Sequence, residues 1–402
     1  MRPAIHPLAV EPASADVDPE RLAALYERVE RCLHEDGLPS AQLALARRGK
    51  LVAARSWGRV ARGHIDAEAT NDTLYVIYSS TKAITSAAAW LLMQEGKLGV
   101  DERVADVIPE FAANGKDRVT VEQLFTHTAG FPNAPFRPPD WDDRSRRLER
   151  FASWRLNWQP GSRLEYHPTS SMWVIAELVE RRSGVDFRSF VRGRIALPLG
   201  LEDLYLGLPE EENARVADVV HFGEALTDDE LRAVGFPVRP ENEVTEDALE
   251  RFNHAGFRRV GVPGGGGITT ATDLALFYQA LLRGGRASDG TEIWQPDMLA
   301  EALRSRTGEL RDAYTGVQSN RGLGVCVAGD EQRSLRGFGK TNSPDAFGHN
   351  GAGGQIAWAD PQTGISFVFL TNGVDRNLLR MGRRGVALSS RAATCAAECD
   401  FA

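Results

Sequence analysis

Ser79 and Lys82, three residues apart in Tyr78-Ser79-Ser80-Thr81-Lys82, are of types that can do chemistry together. On a helix, positions i and i+3 share a face, so hydroxyl and amine can meet. A serine hydroxyl becomes a nucleophile only when a base takes its proton. A lysine serves as that base where burial or neighbours weaken its hold on the proton. The apolar stretch that follows, with Ala87, Ala88, Ala89 and Trp90, predicts a helix from near Ser79 through Leu92. Its N-terminus favours negative charge at the serine. A bare S-x-x-K nevertheless arises by chance about once in a chain of this length, so the pair needs partners.

Two further segments offer them. Tyr166 lies in Leu164-Glu165-Tyr166-His167-Pro168, after the turn Trp158-Gln159-Pro160-Gly161-Ser162 and before a helix. A tyrosine beside a lysine can act as a phenolate or relay a proton to a leaving group. The run Gly348-His349-Asn350-Gly351-Ala352-Gly353-Gly354 directly precedes a predicted strand. Its small residues allow close approach to the backbone. A free N–H on such a strand, beside a nucleophile, makes half of an oxyanion hole.

In this order the segments resemble the serine β-lactamase and penicillin-binding-protein superfamily, and within it the class C β-lactamase-like branch that includes family VIII carboxylesterases. Leu124-Phe125-Thr126-His127-Thr128-Ala129-Gly130-Phe131 and Gly264 to Asp273 also match that branch, and the likeness spans residues 20–390. The resemblance implies a β-lactamase/penicillin-binding-protein-like fold and an acyl-enzyme on Ser79. Lys82 and Tyr166 would be general base and proton relay, their roles interchangeable at this level. It also implies an oxyanion hole from the N–H groups of Ser79 and Ala352, and substrate contacts at Pro168, His349 and Gly351. His127 would be structural, and no metal or cofactor is implied.

The chain departs from the branch at two points. Tyr166-His167-Pro168 stands where class C β-lactamases have Y-x-N, and His349-Asn350-Gly351 where they have K-T-G. The first loses an amide. The second replaces a fixed cation by an imidazole that is largely neutral at pH 7. Both changes point away from β-lactam carboxylates and towards a neutral ester. The expected function is therefore a serine carboxylesterase acting on a small-molecule ester, with weak β-lactamase side activity. Its alternatives are a β-lactamase, a D-amino-acid peptidase or amidase, an acyltransferase, or a non-catalytic scaffold.

These residues need a frame. Apolar positions Leu22, Leu25, Val29, Cys32 and Leu33 predict a helix over Pro19 to Glu35, with Asp18 as N-cap. Gln42 to Arg47 and Leu51 to Trp57 predict a hairpin, and so do Gln355 to Ala359 and Ile365 to Thr371, followed by a helix from Arg376 to Leu388. Strands at both ends of a sequence most simply join one antiparallel sheet with helices packed on it. An α+β fold follows, with an antiparallel sheet flanked by helices over residues 1–95 and 256–402. A mainly helical insertion occupies residues 96–255, including Ser171 to Ser183. Pro132 to Asp143 and Pro209 to Asn253 read as loops.

Composition narrows the field. With a net charge of -8 over 402 residues, a nucleic-acid partner is not expected. The apolar run Ala83 to Met93 is too short to cross a bilayer, and the start of the chain lacks the apolar stretch of a secretion signal. A cytoplasmic protein with no membrane partner is expected. Cys395 and Cys399 fall one helical turn apart, but no nearby ligand completes a metal site. Lys340-Thr341-Asn342 mimics K-T-G without a following strand, and Thr270 with Asp273 reads as a capping box. Phe136, Trp141, Trp154 and Trp158 are candidates for lining an acyl pocket.

Overall fold

The computed structural model describes residues 6–63, 65–233, 235, 244–313 and 315–397. Helix α1, Pro19–His34, starts as its sequence predicts: the Asp18 carboxylate accepts from the N–H groups of Glu20 and Arg21 at 2.9 and 3.2 Å. Leu22, Leu25, Val29 and Cys32 form its buried stripe.

The first hairpin pairs β1, Ser40–Arg47, with β2, Lys50–Arg62, and β3, Ile65–Glu68, extends it at the edge. Sequence reasoning missed β3 because Ile65-Asp66-Ala67-Glu68 is short and mostly exposed, with no buried face to impose a period of two. The second hairpin is β10, Ile356–Asp360, and β11, Ile365–Leu370. The short strands β8, Cys326–Val327, and β9, Phe347–Gly348, continue beyond it. Among the described residues these strands make one sheet in the order β3-β2-β1-β11-β10-β9-β8. Its centre is the antiparallel pair β1 and β11, with Gln42 opposite Leu370 and Leu45 opposite Phe367.

Both faces of that centre are covered, so β1 and β11 are buried along their whole length. The pleat still sorts the side chains. Leu43, Leu45, Phe367 and Phe369 face the core that includes α1 and the helix Leu378–Ala393. Ala44, Ala46, Val368 and Leu370 face the other core, together with α2, Thr81–Gln94, and the helix Ala271–Leu282. That second core continues without a break into Phe111, Phe131 and Val174, within residues 96–255.

Smaller pairings fasten the site to this frame. Strand β4, Tyr75–Val76, leads into α2, and β5, Tyr205–Leu206, lies on the far side of β7, Gly267–Thr269, which pairs with both. Strand β6, Val220–Phe222, pairs in parallel with β12, Gly373–Asp375. The helix Ser170–Ser183 packs against α2. The segment read as loop from Pro209 to Asn253 contains β6 and the short helices Asp228–Ala233 and Glu246–Glu250, and part of it lies outside the described residues. Cys399 lies outside them too. No helix among the described residues is long and apolar enough to cross a membrane.

Candidate active site

Ser79 sits in a one-turn 3-10 helix, Tyr78–Ser80, that feeds directly into α2. The turn is tight: Tyr78 has φ of 44°, a left-handed conformation that costs a non-glycine residue about 1–2 kcal/mol. Packing holds it there. The Tyr78 ring is buried edge-on to Phe252 at 5.8 Å, and Ile77 donates its N–H to Gly267 O at 2.9 Å. Gly267 in turn donates to Thr81 Oγ1 at 2.8 Å, and a Cβ at Gly267 would lie 2.7 Å from that oxygen. The glycine run is thus structural, as its capping reading predicts, although only half of the capping box forms. Thr270 Oγ1 accepts from Asp273 N–H, while the Asp273 carboxylate accepts from Asp203 N–H.

Helix α2 is buried on all sides from Thr81 to Leu92, a fuller burial than a surface helix needs. Lys82 is fully buried and its Nζ has three partners: Ser79 Oγ at 3.1 Å, Pro168 O at 2.7 Å and Gly264 O at 2.8 Å. The two carbonyls can only accept, so two N–H bonds of Lys82 point away from Ser79. The third position faces the serine, as an N–H in the ammonium or as a lone pair in the neutral amine. Tyr166 Oη lies 2.9 Å from the same Ser79 oxygen, and its ring centroid is 5.0 Å from Lys82 Nζ. The three residues expected to work together do come together.

Tyr166 is held from behind by imidazoles. His127, with φ of 59°, sets its ring tilted at 55° to that of Tyr166, with centroids 4.7 Å apart. Its carbonyl accepts from Glu165 N–H at 3.2 Å and its Nδ1 from His167 N–H at 3.2 Å. His167 Nε2 accepts from Phe131 N–H at 3.0 Å, and its Nδ1 donates to Glu165 O at 2.7 Å. His167 is therefore neutral, with its pKa lowered to about 3 by burial. Burial also carries His127 well below the ordinary imidazole value. Pro168 turns its carbonyl to Lys82.

The turn before β10 closes the opposite wall. Ala352 begins the 3-10 helix Ala352–Gly354, where a first-turn N–H has no intrahelical partner, and Ser79 N–H lies in a first turn of the same kind. Gly351 lies so close to the turn at Ser79 that a Cβ there would come 2.2 Å from Ile77 O. His349 N–H donates to Tyr278 Oη at 3.2 Å, and His349 Nδ1 donates to Asn350 O at 2.8 Å. Burial, with the Lys82 and Arg321 charges, keeps the His349 ring neutral well below its usual pKa. Its centroid is 6.1 Å from that of Tyr166.

The Beta-lactamase family profile matches residues 25–390. The chain belongs to the Beta-lactamase family. As a member it is a serine hydrolase of the β-lactamase and penicillin-binding-protein superfamily. It is 28% identical over 327 residues to "Esterase/beta-lactamase LipL" of Mycobacterium tuberculosis (strain ATCC 25618 / H37Rv), covering 75% of this chain and 70% of that protein. It superimposes on a penicillin-binding protein homologue from Caulobacter crescentus with a TM-score of 0.79 and 30% identity, over 94% of this chain and 98% of that one. A family VIII carboxylesterase superimposes with a TM-score of 0.77 and 27% identity, also over 94% and 98%. The β-lactamase-like α+β fold expected from the motifs is the fold observed.

Sequence reasoning misplaced two of its four pocket aromatics and missed two residues. Phe136 and Trp154 are buried against Phe131, Phe151 and Trp173, so they build core beneath His167 rather than line a pocket. Gly264 was read only as part of a run entering a helix, yet its carbonyl fixes Lys82. Arg321 lies over the Tyr166 ring, with its guanidinium carbon 5.2 Å from the centroid. A basic residue in an Arg-Gly-Leu-Gly stretch carries no local signal of this placement. No strand directly follows Lys340-Thr341-Asn342, as expected, and the segment is a turn fastened to the helix Leu378–Ala393 through Lys340 N–H and Ser390 Oγ at 2.9 Å.

Proposed function

We propose that this Beta-lactamase family member is a serine carboxylesterase acting on small-molecule esters through an acyl-enzyme on Ser79. The observation that carries the reading is the convergence of Lys82 Nζ and Tyr166 Oη on Ser79 Oγ, at 3.1 and 2.9 Å. The serine oxygen attacks the ester carbonyl while its proton passes to the Lys82–Tyr166 pair. With neutral Lys82 the lone pair facing Ser79 takes that proton. With the ammonium, a Tyr166 phenolate takes it. The N–H groups of Ser79 and Ala352 meet the developing oxyanion. Collapse breaks the ester C–O bond, and the stored proton goes to the leaving alkoxide. Water then attacks the acyl-enzyme, gives up a proton to the same pair, and releases the acid and Ser79.

Support comes from neutral His349 and from Pro168, which stand where class C β-lactamases place a lysine and an amide, and from the likeness to a family VIII carboxylesterase. The name of the Mycobacterium tuberculosis relative favours a second reading, β-lactam hydrolysis by the same serine. The decisive experiment is hydrolysis of p-nitrophenyl butyrate, nitrocefin and a D-alanyl peptide by wild type and Ser79→Ala, with a fluorophosphonate probe read by mass spectrometry. Ester turnover that vanishes in Ser79→Ala, with an adduct on Ser79, is expected. Faster turnover of nitrocefin or the peptide would overturn the esterase reading, and activity surviving in Ser79→Ala would overturn the nucleophile.

A further inference from the structure

Three arginines that this protein buries are matched by acids, and the buried Arg47 is met by the carbonyls of Thr363, Ala15 and Asp16. Arg258 pairs with Asp218 at 3.1 Å, Arg306 with Glu122 at 2.7 Å and Arg384 with Asp375 at 3.2 Å. Burying a guanidinium without such a partner is costly, because its charge and its N–H groups both lose water. Arg321 is the exception that faces the site. It is half-buried, and no carboxylate pairs with it among the described residues. Its Nε is buried without a hydrogen-bond partner. Its Nη1 lies 3.5 Å from His349 Nε2.

That neighbour cannot neutralise it. His349 Nδ1 donates to Asn350 O, so the neutral ring presents a lone pair at Nε2 and can only steady the guanidinium. The backbone of Arg321 is fixed as well, since its N–H donates to Thr307 Oγ1 at 3.2 Å and its carbonyl accepts from Arg306 N–H at 2.8 Å. A second unmet donor lies on the same side of the chemistry. His127 Nδ1 accepts from His167 N–H, which leaves the proton on Nε2, and that atom is buried without a partner. Arg321 is the foremost charge opposing protonation of His127. Tyr166 is thus bordered by a fixed cation and an imidazole N–H, both short of an acceptor.

We infer that Arg321 binds a carboxylate carried by the substrate, so that the preferred esters are monoesters of diacids or esters of hydroxy acids. A single guanidinium among neutral imidazoles matches one negative charge, and its fork fits a carboxylate with two parallel hydrogen bonds. The cation lost with the K-T-G lysine is thereby supplied from another strand edge, and the substrate is not the neutral ester that His349 alone suggests. This inference rests on the proposed esterase reading and specifies which esters it concerns.

The test compares matched ester pairs on wild type, Arg321→Met and Arg321→Lys. One pair, p-nitrophenyl hemiglutarate and p-nitrophenyl butyrate, puts the carboxylate on the acyl side. The other, 3-carboxyphenyl acetate and its methyl ester, puts it on the leaving group. Wild type should favour the carboxylated member of one pair, in kcat/KM, by about tenfold or more, the size of a hydrogen bond to a charged group. Arg321→Met should collapse that ratio and Arg321→Lys restore part of it. The pair that responds identifies the side on which the carboxylate sits. A ratio near one in wild type, or one that Arg321→Met leaves unmoved, overturns the inference while leaving ester hydrolysis intact. Absence of all ester turnover would fail the esterase reading instead. Calorimetry of 3-hydroxybenzoate with Ser79→Ala then decides separately: binding lost on adding Arg321→Met upholds the carboxylate contact, and binding that survives it, or no binding, overturns it.

Discussion

At Ser79 and Lys82 the protein supplies its own hydrogen-bond partners, and a short way along the Tyr166 ring it does not. Lys82 Nζ has two carbonyls and the serine, and Ser79 Oγ has Lys82 and Tyr166. Arg321 Nε and His127 Nε2 are buried with nothing to bond. Satisfied groups are rigid and hold a reacting geometry before substrate arrives, whereas unmet ones cost free energy until a ligand completes them. The contrast separates a region built for bond-making from one built for recognition.

Mutations can break this contrast in graded steps. Ser79→Ala should have the largest effect, a loss of about 10⁴-fold or more in ester turnover without a change in thermal midpoint. Tyr166→Phe and Lys82→Met should each lower kcat by about 10²–10⁴-fold, measured on the better ester. If the two regions are distinct, these changes leave the Arg321-dependent selectivity ratio in place. Gly351→Ala should lower kcat by about 10²-fold or more, because a Cβ facing Ile77 O must push the Ala352 N–H out of line. Its KM should move less than its kcat, and wild-type kcat in this variant would remove Ala352 from the oxyanion hole.

The smallest effect concerns acid. His127, His167 and His349 are neutral in the fold, with pKa values lowered by burial, to about 3 for His167. In the unfolded chain each titrates near 6.5. Above that value both states are neutral and pH has no effect through them. As pH falls below 6.5 the unfolded chain takes protons that the folded one refuses, so stability drops until each folded pKa is reached. Each imidazole should cost about 1–2 kcal/mol between pH 6.5 and 5, read by urea denaturation. His167→Gln, which can still accept from Phe131 N–H, should make the drop shallower by roughly one third of the total. An unchanged slope would remove His167 from the acid response.

Much of the frame could be read from the sequence because its signals are local. Asp18 caps α1 where a cap is expected, and the two hairpins appear within a residue or two of their turns. The final helix begins two residues later and runs five further than expected, from Leu378 to Ala393, because Ser389 and Ser390 look indifferent to helix yet Ser389 is buried and hydrogen-bonded to Trp358 Nε1. Ser79, Lys82 and Tyr166 were legible as types at a spacing and in an order. What stayed hidden depends on folding across distance. Nothing near Arg321 in the chain announces Tyr166, and nothing in Thr126-His127-Thr128 announces a left-handed backbone beneath that ring. Trp154 could equally have lined a pocket, and only its packing on Phe131 and Phe136 places it in the core.

The pairing of β1 with β11 has a bearing on how the protein is made. Gln42 leaves the ribosome long before its partner Leu370, so the middle of the sheet waits unpaired while the intervening chain is made. Contacts that span such separations form slowly and leave apolar strand edges open meanwhile. Ala41 to Ala46, buried on both faces once folded, is then a sticky segment on the nascent chain. A variant that slows late elongation, or a truncation before Ile365, should therefore be lost to aggregation or chaperone capture. The site draws Ser79, Tyr166 and Ala352 from distant parts of the chain, and the sheet that carries them is completed only when β11 reaches β1.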